Sequence, residues 1–252
     1  MFESAKLKVE RAEQHIAYLQ RTFKAFVETH NYNLSVSEDP KTSRTTIKVH
    51  FSDYRPQEFA LVIGDAVHNL RTALDHATWE LIGLDSGTRD CYTTFPTGDD
   101  KVNYEASCNG IKTPRGDTKK FFIALAAYKS GPGVGLYTIH RLDITDKHTI
   151  LIPSIHVAPL KNVKLRHKEG GSITIGQADV NLGPNGEVFV VKTPAGAALE
   201  IDKEAKASFG IIFGEIEHLK FQPVIPTLML LRDVISDTLG QFQLFVVLPL
   251  HI

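Results

Sequence analysis

The nine residues from His68 to His76, HNLRTALDH, hold two imidazoles, a guanidinium, a carboxylate and an amide. Groups of these types move protons, stabilise developing negative charge or ligate metals. Arg71 and His76 form the candidate catalytic pair, and His68, Asn69 and Asp75 are candidate binding residues. A second cluster follows in IHRLDITDKHTIL, residues 139–151, with His140, Asp143, Asp146 and His148. Imidazoles and carboxylates together suit a divalent cation. His68, His76, Asp146 and His148 are therefore the candidate metal ligands, although no H-E-x-x-H or H-x-x-x-H pair is present. No cofactor is expected; a divalent metal is the alternative. A third feature is LKNVKLRHK, residues 160–168. On a strand, Lys164, Arg166 and Lys168 share one face. That face is either solvated or a strip that contacts phosphates, as in RNA or another phosphate-bearing ligand.

The elements that must position these residues can be read from apolar periodicity. Residues 56–84 read as one helix opened by Pro56, at a position where proline is tolerated. At about 100° per residue, Ile63, Ala66, Val67, Leu70, Ala73, Leu74, Ala77 and Leu81 cover one side, which is core. Glu58, Asp65, His68, Thr72, Asp75, His76 and Trp79 collect opposite, with Arg71 at the edge. Lysine is absent from that arc, and the tryptophan suggests that it is at least half covered. Arg71 is expected to pair with Asp75 one turn away, and His76 to be more accessible than His68. The two polar clusters are expected to meet, with Asp75 and His76 near Asp146 or His148, because buried polar groups need partners.

Elsewhere, residues 2–30 carry a broken stripe of Leu7, Ile16, Leu19, Phe23 and Phe26, and read as a helix. NYNLSVS and TTIKVHF, split by EDPKTS, read as a β-hairpin over about 32–53. Residues 85–117 read as a long loop. Residues 117–150 read as helical on both sides of SGPGVG, itself a hinge. From Leu151 the segments ILIPSIHV, NVKLRHK, GSITIG, EVFVVK and ASFGIIF alternate like strands of an antiparallel sheet over about 151–216. A last helix spans about 223–247, with Leu228, Leu231, Val234, Ile235, Leu239 and Phe242. The expected class is α+β: a helical layer or bundle packed beside an antiparallel sheet formed mainly by the C-terminal half, in one domain of residues 1–252.

Composition narrows the function classes. The chain of 252 residues is 42% hydrophobic and 23% charged, with a formal net charge of -1. That balance argues against a protein built mainly to coat nucleic acid. Cys91 and Cys108 have no C-x-x-C spacing, so neither a disulfide framework nor a cysteine zinc site is expected. No run approaches the roughly 18 apolar residues of a membrane span, and the opening MFESAKLKVERAEQH is charged like no signal peptide. A cytoplasmic protein without membrane partners is expected.

LVIGDAVHNLRTALDHATWEL, then TTFP, then LAAYKSGPGVGLYTIHRLDITDKHTILI resemble a group of uncharacterised bacterial proteins. They share an LR-x-x-LDH helix, a following F-P segment and an L-x-x-L-x-x-x-DKH segment. The resemblance covers about residues 58–152 and implies no activity. Arg71-Thr-Ala-Leu-Asp-His76 is also similar to the R-x4-6-H signature of HEPN ribonucleases, helical bundles that are often homodimers. That resemblance implies His76 as general acid or base at a 2′-hydroxyl or leaving oxygen, and Arg71 as the stabiliser of phosphorane charge. Three functions follow. The first is a non-catalytic binding or assembly module with a structural polar seam, favoured because most such seams are structural. The second is a metal-independent ribonuclease using Arg71 and His76. The third is a metal-dependent hydrolase.

Overall fold

The computed structural model describes residues 1–29, 32–39, 44–51, 55–85, 87–90, 92–151, 153–158, 163–167, 172–175, 180–181, 189–192, 199–201, 208–214 and 219–247; most of its strands are described by their backbone alone. Six helices are present among these residues: α1 (Glu3–Thr29), α2 (Pro56–Leu84), α3 (Lys101–Asn109), α4 (Gly116–Leu125), α5 (Val134–His148) and α6 (Val224–Val247). The described strands are β1 (Tyr32–Asp39), β2 (Arg44–Phe51), β3 (Pro153–Ala158), β4 (Val163–His167), β5 (Ser172–Ile175), β6 (Val180–Asn181), β7 (Phe189–Lys192), β8 (Leu199–Ile201) and β9 (Ser208–Phe213). The chain is thus mostly helical, with short strands whose ladders are all antiparallel. Among the described residues no helix is long and apolar enough to cross a membrane.

The chain divides into two compact units. One holds Met1–Leu19, Leu61–Leu151 and Ile225–Ile252; the other holds Gln20–Ala60 and Ile152–Val224. In the second unit the strands form three three-stranded groups, β1-β2-β7, β6-β3-β9 and β5-β4-β8, rather than the single sheet expected. The hairpin is the one expected, with Tyr32 opposite Phe51 and Asp39 opposite Arg44. It also takes β7 onto its second strand, pairing Ile47 with Phe189. The Lys164 and Arg166 backbones lie in β4, opposite Thr174 and Ser172 of β5. Their side chains, with residues 159–162 and 168–171, are outside the described residues.

The first unit is helical, and its periodicity explains its core. All eight residues expected on the apolar side of α2 are buried. Fully burying a Leu, Ile or Val contributes about 1.5–3 kcal/mol, so Ile63, Val67, Leu70, Leu74 and Leu81 supply most of the drive. Ala66, Ala73 and Ala77 contribute little area; they let neighbours approach closely. Helix α1 buries Ala5, Val9, Ala12, Ile16 and Leu19, a spacing of alternating four and three. Leu7, placed in the stripe by sequence, is exposed because it falls between those positions. On α6, Leu228, Leu231, Ile235, Leu239 and Phe242 are buried as expected. Phe242 meets the rings of Phe2 and Phe122 edge-on at 5.7 Å each, and Phe122 meets Phe95 at 6.1 Å. Offset and edge-on rings at such spacings add to the area they bury.

Two segments differ from expectation. Residues 85–117 contain α3, whose Asp100 caps it by accepting from the Asn103 N–H at 2.8 Å. Capping by Asp satisfies a donor that the first turn leaves unpaired. The SGPGVG segment is a close-packed turn instead of a loose hinge. A side chain added at Gly133 would meet the Leu125 carbonyl oxygen at 2.1 Å.

Candidate functional site

Helices α2 and α5 run antiparallel and exchange polar contacts at three successive levels. At the first, Gly64 faces Asp146: a Cβ on Gly64 would stand 2.4 Å from the Asp146 Oδ2. The missing side chain is what admits the carboxylate there. Burial raises the Asp146 pKa above its ordinary value. At the second level, His68 Nδ1 lies 2.9 Å from Asp143 Oδ1, and Lys147 Nζ donates to Asp143 Oδ2 at 2.5 Å. Asp143 is buried, and both its oxygens are matched, as a buried carboxylate requires. The third level holds Arg71 and His140.

Arg71 is 5% exposed, and each of its three guanidinium nitrogens donates to an internal partner. Nη1 donates to Asp75 Oδ1 at 2.6 Å, Nη2 to the Phe95 carbonyl at 3.1 Å, and Nε to His140 Nδ1 at 3.2 Å. The cation also lies 5.9 Å from the Phe95 ring centroid. Asp75 Oδ1 accepts from the Phe95 N–H at 2.8 Å as well. One ion pair on α2 therefore holds both the N–H and the C=O of residue 95. The bidentate reach of guanidinium suits it to this clamp, because its planar fork presents donors in fixed directions.

The protonation states follow from this geometry. His140 must be neutral to accept from Arg71, and burial, reinforced by the Arg71 cation, pushes its pKa down to about 4. Asp75 is pushed up by burial, against the pull of Arg71 and of the Phe95 N–H.

On another side of α2, Ser4, Asp75, His76, Trp79, Asp90 and Thr93 line a cavity of about 380 Å³. His76 is half-buried, and its Nδ1 is buried with no hydrogen-bond partner among the described residues. Trp79 is 46% exposed, and the Arg89 guanidinium carbon stands 4.0 Å from its ring centroid. Asp90 accepts from the Tyr92 N–H at 3.0 Å and from Lys112 at 3.0 Å; the Lys112 bond leads in holding its pKa below the ordinary carboxylate value.

The structure rearranges the sequence-based set. Arg71 pairs with Asp75 as expected, and the pair is buried at its Arg end. The order of the histidines is reversed: the His68 side chain is 54% exposed, whereas His76 is half-buried. The two polar clusters do meet, but in a different register. Asp75 and His76 were expected beside Asp146 or His148. The antiparallel crossing instead sets Asp146 opposite Gly64, eleven residues or about 16 Å along the helix from Asp75. Of the candidate ligands, His68 and Asp146 lie on successive levels of the seam, His76 lines the cavity and His148 is exposed at the end of α5. Among the described residues no three His, Cys, Asp or Glu side chains group as a metal site would need. Asn69 donates to the Asp65 carbonyl on its own helix at 2.8 Å. Trp79, at 46% exposed, is about half covered, as expected. Arg89, Asp90, Thr93 and the Phe95 backbone were missed: they belong to a segment read as loop, and the last acts through main-chain atoms that carry no sequence signal. Comparison with protein-family models, curated proteins and solved structures finds no match to this chain.

Two outcomes are expected. Arg71→Ala leaves Asp75 without its cation and the Phe95 carbonyl without its donor, and should cost about 3 kcal/mol in urea unfolding. A change below about 1 kcal/mol would show that the clamp is not structural. His140 has a folded pKa below its ordinary 6.5, so folding favours the neutral ring. Its contribution is complete above pH 6.5 and is lost as pH falls from there towards 4. Asp75, raised from 3.8, acts in the opposite sense: its contribution is lost as pH rises through its folded pKa. His140→Gln removes the first effect alone, so its Tm should fall less than wild type between about pH 7 and pH 4.5. Parallel falls would contradict a neutral buried His140.

Proposed function

We propose that this protein is a non-catalytic binding module, in which the seam between α2 and α5 is structural and the cavity beside His76 takes a small ligand. One observation carries this reading: the three nitrogens of Arg71 are all bound internally, while an open cavity lies beside its partner Asp75. A catalytic arginine needs its donors directed at the charge that develops on the substrate. Here they are directed at a peptide unit, a carboxylate and an imidazole. The cavity volume lies within the roughly 300–1,000 Å³ of small-molecule sites. An unpartnered buried nitrogen such as His76 Nδ1 is uncommon in folded proteins and calls for an explanation, of which a functional role is one.

The ribonuclease reading needs Arg71 and His76 to converge on one phosphate. Arg71 is not among the residues lining the cavity that His76 lines. The metal-dependent reading needs ligands that converge, and among the described residues no three such side chains group together; His76 lies in the cavity lining, apart from His68 and Asp146 in the seam.

Trp79 is the chain's one tryptophan, so its fluorescence reports on this cavity alone. A screen of small molecules of different charge should yield compounds that alter Trp79 emission saturably. The purified protein should leave single-stranded RNA intact. RNA cleavage that disappears in a stably folded His76→Ala variant would overturn the proposal in favour of the ribonuclease.

A further inference from the structure

The lining of the His76 cavity has a one-sided chemistry. Among the described residues it contains two carboxylates, Asp75 and Asp90, two hydroxyls, Ser4 and Thr93, the His76 imidazole and the Trp79 indole, and no lysine or arginine. Asp75 uses Oδ1 for both Arg71 and the Phe95 N–H. Its Oδ2 has no partner among the described residues. Asp90 is held in place by the Tyr92 N–H, the Thr93 hydroxyl and Lys112, so its carboxylate is positioned before any ligand arrives.

Trp79 adds a second, independent observation. Its ring already carries a planar cation, the Arg89 guanidinium at 4.0 Å. A cation over an indole face is attracted by the ring quadrupole, by about 0.5–1 kcal/mol where exposed and about 2 kcal/mol where desolvated. The chain thus displays, at the rim of the cavity, the contact that a cationic ligand would make. Arg71 already offsets Asp75 and Lys112 already offsets Asp90, so what disfavours an anionic ligand is the Asp75 Oδ2, an acceptor to which it would bring no donor. A wholly apolar ligand would cover the Asp75 Oδ2 without giving it a donor, which is costly.

Resting on the reading of this cavity as a ligand site, we propose that it binds a small organic cation of guanidinium or alkylammonium type. The charged head donates to Asp75 Oδ2 and Asp90, and its carbon chain or planar head lies against Trp79. Asp75 then balances two cations, one internal and one bound, through its two oxygens.

The test uses four probes of nearly the same shape: butylguanidinium, butylammonium, neutral butylurea and anionic butyrate. Each is titrated at millimolar concentration into the full-length protein, with Trp79 fluorescence and calorimetry as readouts. At least one of the two cations should bind and alter Trp79 emission. Butylurea should bind at least about tenfold more weakly, and butyrate weaker still. Trp79→Ala, a change at an exposed position, should weaken the calorimetric affinity about two- to fivefold through loss of the cation–π contact. Asp90→Asn should weaken it severalfold. Equal binding of butylurea and the cations, or an unchanged affinity in Trp79→Ala, would overturn the proposal. If butyrate or butylurea alters Trp79 emission and neither cation does, the cavity stands as a ligand site and only the cation class falls. If none of the four probes disturbs the indole, both readings fall.

Discussion

The ion pair between Arg71 and Asp75 is the constraint on which the helical unit depends. It holds the backbone of one residue outside its own helix: Asp75 takes the Phe95 N–H and Arg71 takes the Phe95 carbonyl. An extended segment without a neighbouring strand has main-chain groups that need partners if they are to be buried. The ion pair supplies those partners. Once residue 95 is held, its ring reaches Phe122, and through Phe122 the ring of Phe242 on α6. A polar contact one residue wide thereby decides where an aromatic chain through the core begins.

Burying such a pair costs desolvation, and the attraction offsets it only when the remaining hydrogen-bonding capacity is used. At Arg71 each of the three nitrogens has a partner, because a neutral His140 accepts from Nε. The requirement extends along the seam. Asp143 sits between His68 and Lys147, and Asp146 fits against the bare backbone of Gly64. Each level has its own complement on the facing helix, so sliding α5 by a turn would break the His68–Asp143 and Arg71–His140 contacts and drive Asp146 away from the space at Gly64. The seam sets register more than it adds stability. The contrast lies on the other arc, where His76 Nδ1 and the second oxygen of Asp75 have no partner among the described residues. Those open polar groups, beside a seam whose groups are matched, are the basis for the proposal that the cavity takes a ligand.

Much of the helical architecture was legible. The apolar side of α2 follows from a 3.6-residue period strong enough to outweigh the polar residues between, and the Arg71–Asp75 pair follows from spacing alone. The register of α2 against α5 was not legible, because periodicity says which faces meet and not how far one helix slides along the other. That offset depends on Gly64, whose role is to lack a side chain. Helix α3 was hidden by its length of nine residues, in which Tyr104 and Cys108 are the buried pair; Asp100 was its one local signal. The partner of Arg71 at Phe95 was hidden for another reason. Any residue could supply that N–H and C=O, so the identity of residue 95 says nothing about the clamp.

Hydrogen exchange at the Phe95 amide tests the clamp most directly. This amide lies outside any helix or strand, and its hydrogen bond is to the Asp75 side chain. If the ion pair anchors the segment, the Phe95 amide exchanges as slowly as the amides in the middle of α2, and Arg71→Ala speeds it far more than it speeds theirs. A Phe95 amide that exchanges in the wild-type protein at the rate of an open loop would contradict the account.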